Sequence, residues 1–399
     1  FKALYANTGN DNTAVGHQTL QANTSGANNT AVGRDSLYAN TTGAENTAVG
    51  SNALLDNTTA SNNTAIGFKS LFDNTTGASN TGCGRQTLLF NTTGSYNVAM
   101  GDQTLPNNTT ANDNTAIGFK ALNQNTTGTG NTAVGKDALS ANTTNNYNTA
   151  VGLDALTSNT AAKNTGIGSE ALFANTSGQE NTAVGYAALY SNTTGRSNVS
   201  IGYESCISNT TGDYNTAIGY EALRTLNSAD NNVAVGKAAL RATTTGGKNT
   251  GVGKDALTYN TTGTDNVAVG YRVLISNTTG GDNTGIGSDA GRDVSTGANN
   301  TLLGHDAGRS GAPSGSISTG SNIVCLGDNN VSDLYCADTS ISSSDKRDKT
   351  DIADFTHGLN WVNQLKPITY RWDKRTWYDD LTPDGSKKRN KKHIGFLAQ

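Results

Sequence analysis

Large apolar side chains are scarce in this 399-residue chain: only 34% of residues are hydrophobic and 6% aromatic. That scarcity disfavours a conventional enzyme core, which needs large apolar side chains to offset chain entropy. Charge is scarce too, at 15% of residues. Simple disorder is therefore a poor fit, because disordered chains are usually charge-rich and lack regular hydrophobic spacing. The net charge of −4 gives no reason to expect nucleic acid or an anionic membrane as partner. No apolar run is long enough to span a bilayer. What is abundant is Asn (51), Thr (59) and Gly (47), together 157 of the 399 residues. Such a chain makes structure by repetition.

The repeated unit is Asn-Thr-Ala-Val-Gly or a close variant. Its final glycine recurs eighteen times from Gly16 to Gly304, every 17 residues, with one step of 16 where Asn159-Thr-Ala-Ala-Lys-Asn164 has lost a residue. The consensus is N-T-A-[VI]-G-x-x-A-L-x-x-N-T-T-G-x-x. Phe1 enters it at the sixth position, so the true N-terminus is expected to lie upstream. A period in this range signals a solenoid or stacked array. Large apolar residues are confined to position four (Val15, Ile66, Cys83, Met100) and position nine (Leu20, Leu37, Leu54). Stacked in register they would form two continuous apolar ladders, the expected core. The alternation and β-branched residues of Asn-Thr-Ala-Val favour a strand. The recurrent glycines suit corners with positive φ or close backbone approach. Recurrent Asn and Thr can hydrogen-bond from coil to coil. Seventeen residues this rich in Asn, Thr and Gly cannot hold two helices. The expected fold is all-β, a parallel β-solenoid or β-roll of eighteen coils, about 85 Å long at about 4.8 Å per coil.

Position three is Ala, Gly or Ser in every copy but the last, which has Leu302. A row of small residues either permits close packing of a neighbouring chain or simply fits inside a narrow coil. The pattern resembles the head repeats of trimeric autotransporter adhesins, in which a short motif with a hydrophobic residue beside glycine builds a trimeric β-roll.

After Gly304 the register fails. Residues 305–343 are Ser- and Gly-rich, with a last echo at Asn322-Ile-Val-Cys-Leu-Gly327, and read as a connector capping the solenoid end. Composition then shifts: Trp361, Trp372 and Trp377 all lie beyond residue 343, and residues 344–399 carry net charge +4 against −8 for residues 1–343. Three parts are expected, a shaft over 1–304, a connector over 305–343 and a small α+β domain over 344–399. In the last, Asp354 caps a predicted helix running to about Leu365, with Leu359, Val362 and Leu365 on one face and Pro367 ending it. Ile368–Trp372 reads as a strand with Ile394–Leu397 as its partner. The basic run Lys387–Lys392 reads as a solvated loop rather than a nucleic-acid site.

This terminal stretch carries, in order, Ser344-Asp345-Lys-Arg347-Asp-Lys349, Asp351-Ile352, Gly358-Leu359, Leu365-Lys-Pro367-Ile-Thr-Tyr370-Arg-Trp372 and Ile394-Gly-Phe-Leu-Ala-Gln399. It resembles the C-terminal intramolecular chaperone domain of endosialidases and phage tail fibres. The resemblance implies a domain that trimerises, guides folding of the β-rich fibre before it, and often cleaves itself off just before the serine. It also implies a homotrimer and an extracellular or virion-borne fibre. The family pattern continues past Gln399, so the domain is expected to be incomplete here. Self-cleavage would use Ser344 as nucleophile, Lys349 as base with its pKa lowered by burial, and Asp345 and Arg347 to orient them. The alternative is that these residues form a polar turn before the helix. The Ser343–Ser344 bond is expected to be intact in this chain, which runs through it. A register-setting helper has a physical rationale: identical 17-residue coils can slip by a whole repeat at the cost of one coil's contacts, and pre-assembly of three C-termini lowers the entropy of later pairing.

No other enzyme site emerges, and neither a cofactor nor a metal is expected. His17, His305, His357 and His393 have no ligand spacing. Position seven holds Asp35, Asp137, Glu170 and Asp255 but also Lys69, Gln86 and Arg272, which rules out a uniform calcium-binding ladder. Cys83 and Cys206 replace core residues and are expected as buried thiols; Cys325 and Cys336 could pair. Nineteen N-x-[ST] sequons occur, among them Asn23, Asn40, Asn57, Asn74, Asn91 and Asn125, but the Asn-Thr-Thr-Gly turn generates them with or without glycans. Phe68, Phe119, Tyr186, Tyr203, Tyr220 and Tyr271 either form a sugar-stacking strip or are scattered surface aromatics.

The expected function is structural and adhesive: the shaft of a homotrimeric phage tail fibre or spike with a C-terminal assembly chaperone. Its partners would be its own copies and a cell-surface glycan or protein. Alternatives are a bacterial surface or secreted adhesin, and the shaft of a glycan-cleaving spike, for which paired carboxylates are lacking.

Overall fold

The computed structural model describes residues 2–312, 314–333, 367–370, 386, 390 and 393–396. Two compact units divide the chain, Phe1–Asp333 and Leu334–Gln399. The first is a parallel β-solenoid. Its strands are three residues long, from β1 (Thr13–Val15) and β2 (Thr30–Val32) to β18 (Thr301–Leu303) and β19 (Val324–Leu326). All nineteen form one parallel sheet in which each pairs with the next at the same repeat position, as in Thr13↔Thr30 and Val15↔Val32. The shortened tenth coil keeps this register, with Thr149 opposite Thr165. The missing residue is absorbed at the corner, where the Asn159 side chain caps the carbonyl two residues on, at Ala161, instead of three. The strand ladder also runs past Gly304: a 23-residue coil brings Val324 opposite Thr301, so the echo at Asn322–Gly327 is a nineteenth rung.

Inside the coil the structure reverses one expectation. Position three faces in and position four faces out. Ala48, Ala65 and Ala99 are fully buried, whereas Val15 is 58% exposed and Ile66, Met100 and Ile286 are 42–44% exposed. The core is a single Leu ladder (Leu20, Leu37, Leu54 and onward) flanked by Ala at positions three and eight. Space is the reason. A Cβ built on Gly166 or Gly251 would already stand 3.2 Å from the Cγ of Leu156 or Leu240, so beside these leucines there is room for little more than a methyl. Exceptions compensate: where position eight is Val273, position three of the next coil is Gly285, and where position nine is Gly291, Leu302 fills the gap. Total volume is conserved, as close packing requires.

Two neighbouring residues, such as Ala53 and Leu54, are both buried, which a strand cannot do because its side chains alternate. The chain achieves it by placing Leu in the left-handed region, at φ 49° for Leu37 and Leu54, a conformation rare for Leu. The leucine amide bonds to the next coil, as in Leu37 N to Ala53 O at 3.0 Å. Opposite the Leu ladder run two buried Asn ladders, at positions one and twelve. Asn57 Nδ2 donates to Asn40 Oδ1 at 2.7 Å and to Ala60 O at 3.0 Å, while Asn46 Nδ2 reaches the same carbonyl at 2.9 Å. Buried amides thus satisfy one another and the corner carbonyl, except that Asn142 Oδ1, beside the shortened coil, and Asn277 Oδ1, beside Val294, lack a partner.

In the second unit β20 (Pro367–Tyr370) and β21 (His393–Phe396) form the expected pair, and the structure makes it antiparallel, with Thr369 opposite Ile394. The helix expected after Asp354 lies outside the described residues.

Candidate functional site: the outer faces of the shaft

The strand face that points away from the coil is uniform along the whole ladder. Its two outward residues are Thr or Val at the first strand position and Val, Ile, Met, Cys or Leu at the third. None is charged in any of the nineteen strands. Elsewhere on the shaft, charges are frequent: Arg85 with Asp102 at 3.0 Å, Lys163 with Glu180 at 3.2 Å and Arg241 with Glu221 at 2.7 Å bridge adjacent coils. These pairs are exposed or half-buried and each contributes little stability. The apolar outer face was missed because Val at position four was expected inside. The readable signal was the absence of charge at both outward positions.

The corner after the strand carries position six, which is Phe or Tyr in six coils. Tyr186, Tyr203 and Tyr220 stack one above another, with ring centroids 5.4 and 5.3 Å apart. Lys237 caps the Tyr220 ring at 5.6 Å. Lysines lie over Phe68 and Phe119, and Lys254 and Arg272 lie 5.3 and 5.6 Å from the Tyr271 ring centroid. Each of these rings thus has at least one neighbour within the chain, and all six remain 40–46% exposed. Beside the tyrosines, Arg224 Nε lies 2.9 Å from Glu204 and 3.7 Å from Glu221. The Arg224 hydrogen bond holds the Glu204 carboxyl below its ordinary range, and the Tyr203 phenol is raised by its hydrogen bond to Glu204. On a further corner, two shallow polar clefts of about 340 and 380 Å³ lie beside Asp230, Lys248 and Asp265, and beside Arg196 and Asp213.

The sequon asparagines Asn23, Asn40, Asn57, Asn74, Asn91 and Asn125 are fully buried ladder members. Their amide nitrogens are occupied by hydrogen bonds, so the folded shaft offers none of these six to a glycan. Cys206 is buried as expected, and burial pushes its thiol up to about 12, leaving almost no thiolate at neutral pH. Cys83 is only half-buried, because position four faces outward. Cys325 is a free buried thiol hydrogen-bonded by Ser314, and Cys336 lies outside the described residues. Ser344, Asp345, Arg347 and Lys349 lie outside them too. Among the described residues no helix is long and apolar enough to cross a membrane.

No curated protein matches the chain. Residues 344–399 match the family described as chaperone of endosialidase. Together with the parallel β-solenoid that precedes it, this segment makes the chain fit a tail-fibre protein with an endosialidase-type chaperone domain.

Proposed function

We propose that the chain is the shaft of a homotrimeric extracellular fibre, of the phage tail fibre or spike kind. Residues 344–399 assemble first and set the register of the shaft, and residues 305–343 connect the two. The observation that carries this reading is the uncharged outer face of the nineteen-strand sheet, with an unbroken apolar row at the third strand position. An exposed apolar surface of this extent is an interaction surface in a protein that stays soluble. About 85 Å long and about 10 Å wide, it offers about 850 Å² per chain, comparable with the roughly 800 Å² per partner of a stable interface. Identical chains can present identical rows to one another around a threefold axis. A surface glycan or protein is the receptor in this reading, met on the polar corners.

Light scattering is expected to return three times the chain mass of 41.1 kDa; a monomer rejects the proposal. Replacing Ile117 and Val134 by Glu is expected to lower the mass to that of single chains with an unchanged β-sheet circular dichroism spectrum. The two side chains face outward, so the coil tolerates the charge, but a trimer would have to bury it. A double variant that stays trimeric excludes this face as the interface.

In the same reading the Ser344 hydroxyl attacks the carbonyl of Ser343 while Lys349 takes its proton and returns it to the Ser344 nitrogen as the amide C–N bond breaks; water then hydrolyses the ester so formed, and Asp345 and Arg347 orient the pair. This is single-turnover chemistry without a cofactor. Ser344→Ala is expected to abolish any fragment beginning at residue 344 in a mass spectrum. A fragment that persists in the variant rejects the assignment.

A further inference from the structure

The Tyr186–Tyr203–Tyr220 ladder has an arrangement found at no other described tyrosine of the shaft. The three rings lie one coil apart, with planes inclined by 21° and 8°. All three are 43–46% exposed, so their edges are open to small solutes. The Glu204 carboxylate lies beside the Tyr203 phenol and holds it above its ordinary range. Tyr96, Tyr147 and Tyr214 are more exposed, at 59–66%, but their neighbours along the rod are not tyrosines: Ser79 and Asp113, Gly130 and Lys163, Ser197 and Asn231. Tyr190 stacks on Phe173, which has no phenol to oxidise.

We propose that this ladder is a site of oxidative cross-linking, at which adjacent tyrosines couple ring to ring and staple neighbouring coils covalently. A one-electron oxidant of the haem-peroxidase type removes one electron and one proton from each of two phenols. Solvent water takes the protons. The two phenoxyl radicals combine through ring carbons ortho to oxygen, forming one carbon–carbon bond. The hydrogen on each joined carbon then moves to oxygen and restores both phenols. Two electrons and two protons leave in all, and hydrogen peroxide accepts them to give two water molecules. Stacking favours this coupling because it holds the second ring beside the first throughout the radical's lifetime, as an intramolecular reaction requires. The staple would join coils otherwise held by hydrogen bonds and a single Leu ladder. It depends on the fold of one chain and not on the trimer.

The test treats the full chain with a haem peroxidase and hydrogen peroxide. Dityrosine fluorescence is expected, with proteolytic peptides joining Tyr203 to Tyr186 or to Tyr220. Because both pairs share Tyr203, Tyr203→Phe, which preserves the stack, should lose most of this product. Tyr214→Phe should change nothing. In a mixture of light and heavy-isotope chains each linked peptide should carry one label. Undiminished fluorescence in Tyr203→Phe, links centred on Tyr96, Tyr147 or Tyr214, or mixed-label links would overturn the proposal.

Discussion

Gly118→Ala is expected to open the shaft at one rung, with a local loss of about 3 kcal/mol or more. Gly118 closes its strand at φ +128°, a region that L-residues avoid. Its amide donates to Met100 O at 2.8 Å, so it cannot rotate away without leaving the ladder. A Cβ built there stands 2.5 Å from Gly135 O and 2.7 Å from Gly135 C, both backbone atoms of the next coil. Neither can yield without separating the two coils. In a stacked array each repeat contacts only its neighbours, so the damage stays local and divides the rod into two cooperative blocks. Amide exchange at Gly118, Lys120 and Gly135 should accelerate about 100-fold, the equivalent of that free energy. Gly311 is the control, because nothing lies within 4 Å of a Cβ placed there. Equal protection in Gly118→Ala and Gly311→Ala would contradict the role given to the strand-closing glycine.

Asn114→Asp is expected to cost about 4 kcal/mol at neutral pH and much less in acid. Asn114 is fully buried. Its Nδ2 donates to Gly128 O at 2.9 Å and to Asn97 Oδ1 at 3.2 Å, while its Oδ1 accepts from the Asn131 amide at 2.9 Å and from Asn131 Nδ2 at 3.2 Å. An aspartate can still accept but cannot donate, so its second oxygen faces two acceptor oxygens in a buried site. Burial and those neighbours raise the folded pKa above the unfolded value of about 3.9. The variant therefore binds more protons when folded. Its stability is greatest below the unfolded pKa and falls as pH rises towards the folded one, by about 1.4 kcal/mol per unit. Thermal melts from pH 4 to pH 7 should show a falling midpoint for Asn114→Asp relative to the parent chain. Parallel curves would mean that the site is wetter, or the ladder less cooperative, than its hydrogen bonds imply.

The two substitutions act on residue types that dominate the composition, and their roles were unequally legible in the sequence. Period, strand position and corner glycines could all be read from the spacing alone. The one-residue deletion was visible too, but its absorption at the Asn159 corner with the strand register kept was not. The echo at Asn322–Gly327 was recognisable as a repeat remnant, whereas its pairing with β18 across 23 residues depends on a chain path that no local pattern encodes.

The outer strand face marks the limit most clearly. Hydrophobicity ranks Val above Ala, so the spacing alone placed Val15 and Ile66 in the core. Only the closed coil shows that Leu156 or Leu240 leaves room for little more than a methyl beside it, and that the larger row must therefore face outward. Likewise, left-handed Leu37 and Leu54 cannot be anticipated from propensity, because tertiary packing overrides the local cost of that conformation. By itself the sequence determined that scarce apolar residues repeat every 17 positions and must build a rod. The tertiary structure decided which of two adjacent rows fills that rod and which faces outward, because inside and outside are properties of the closed coil and not of the strand.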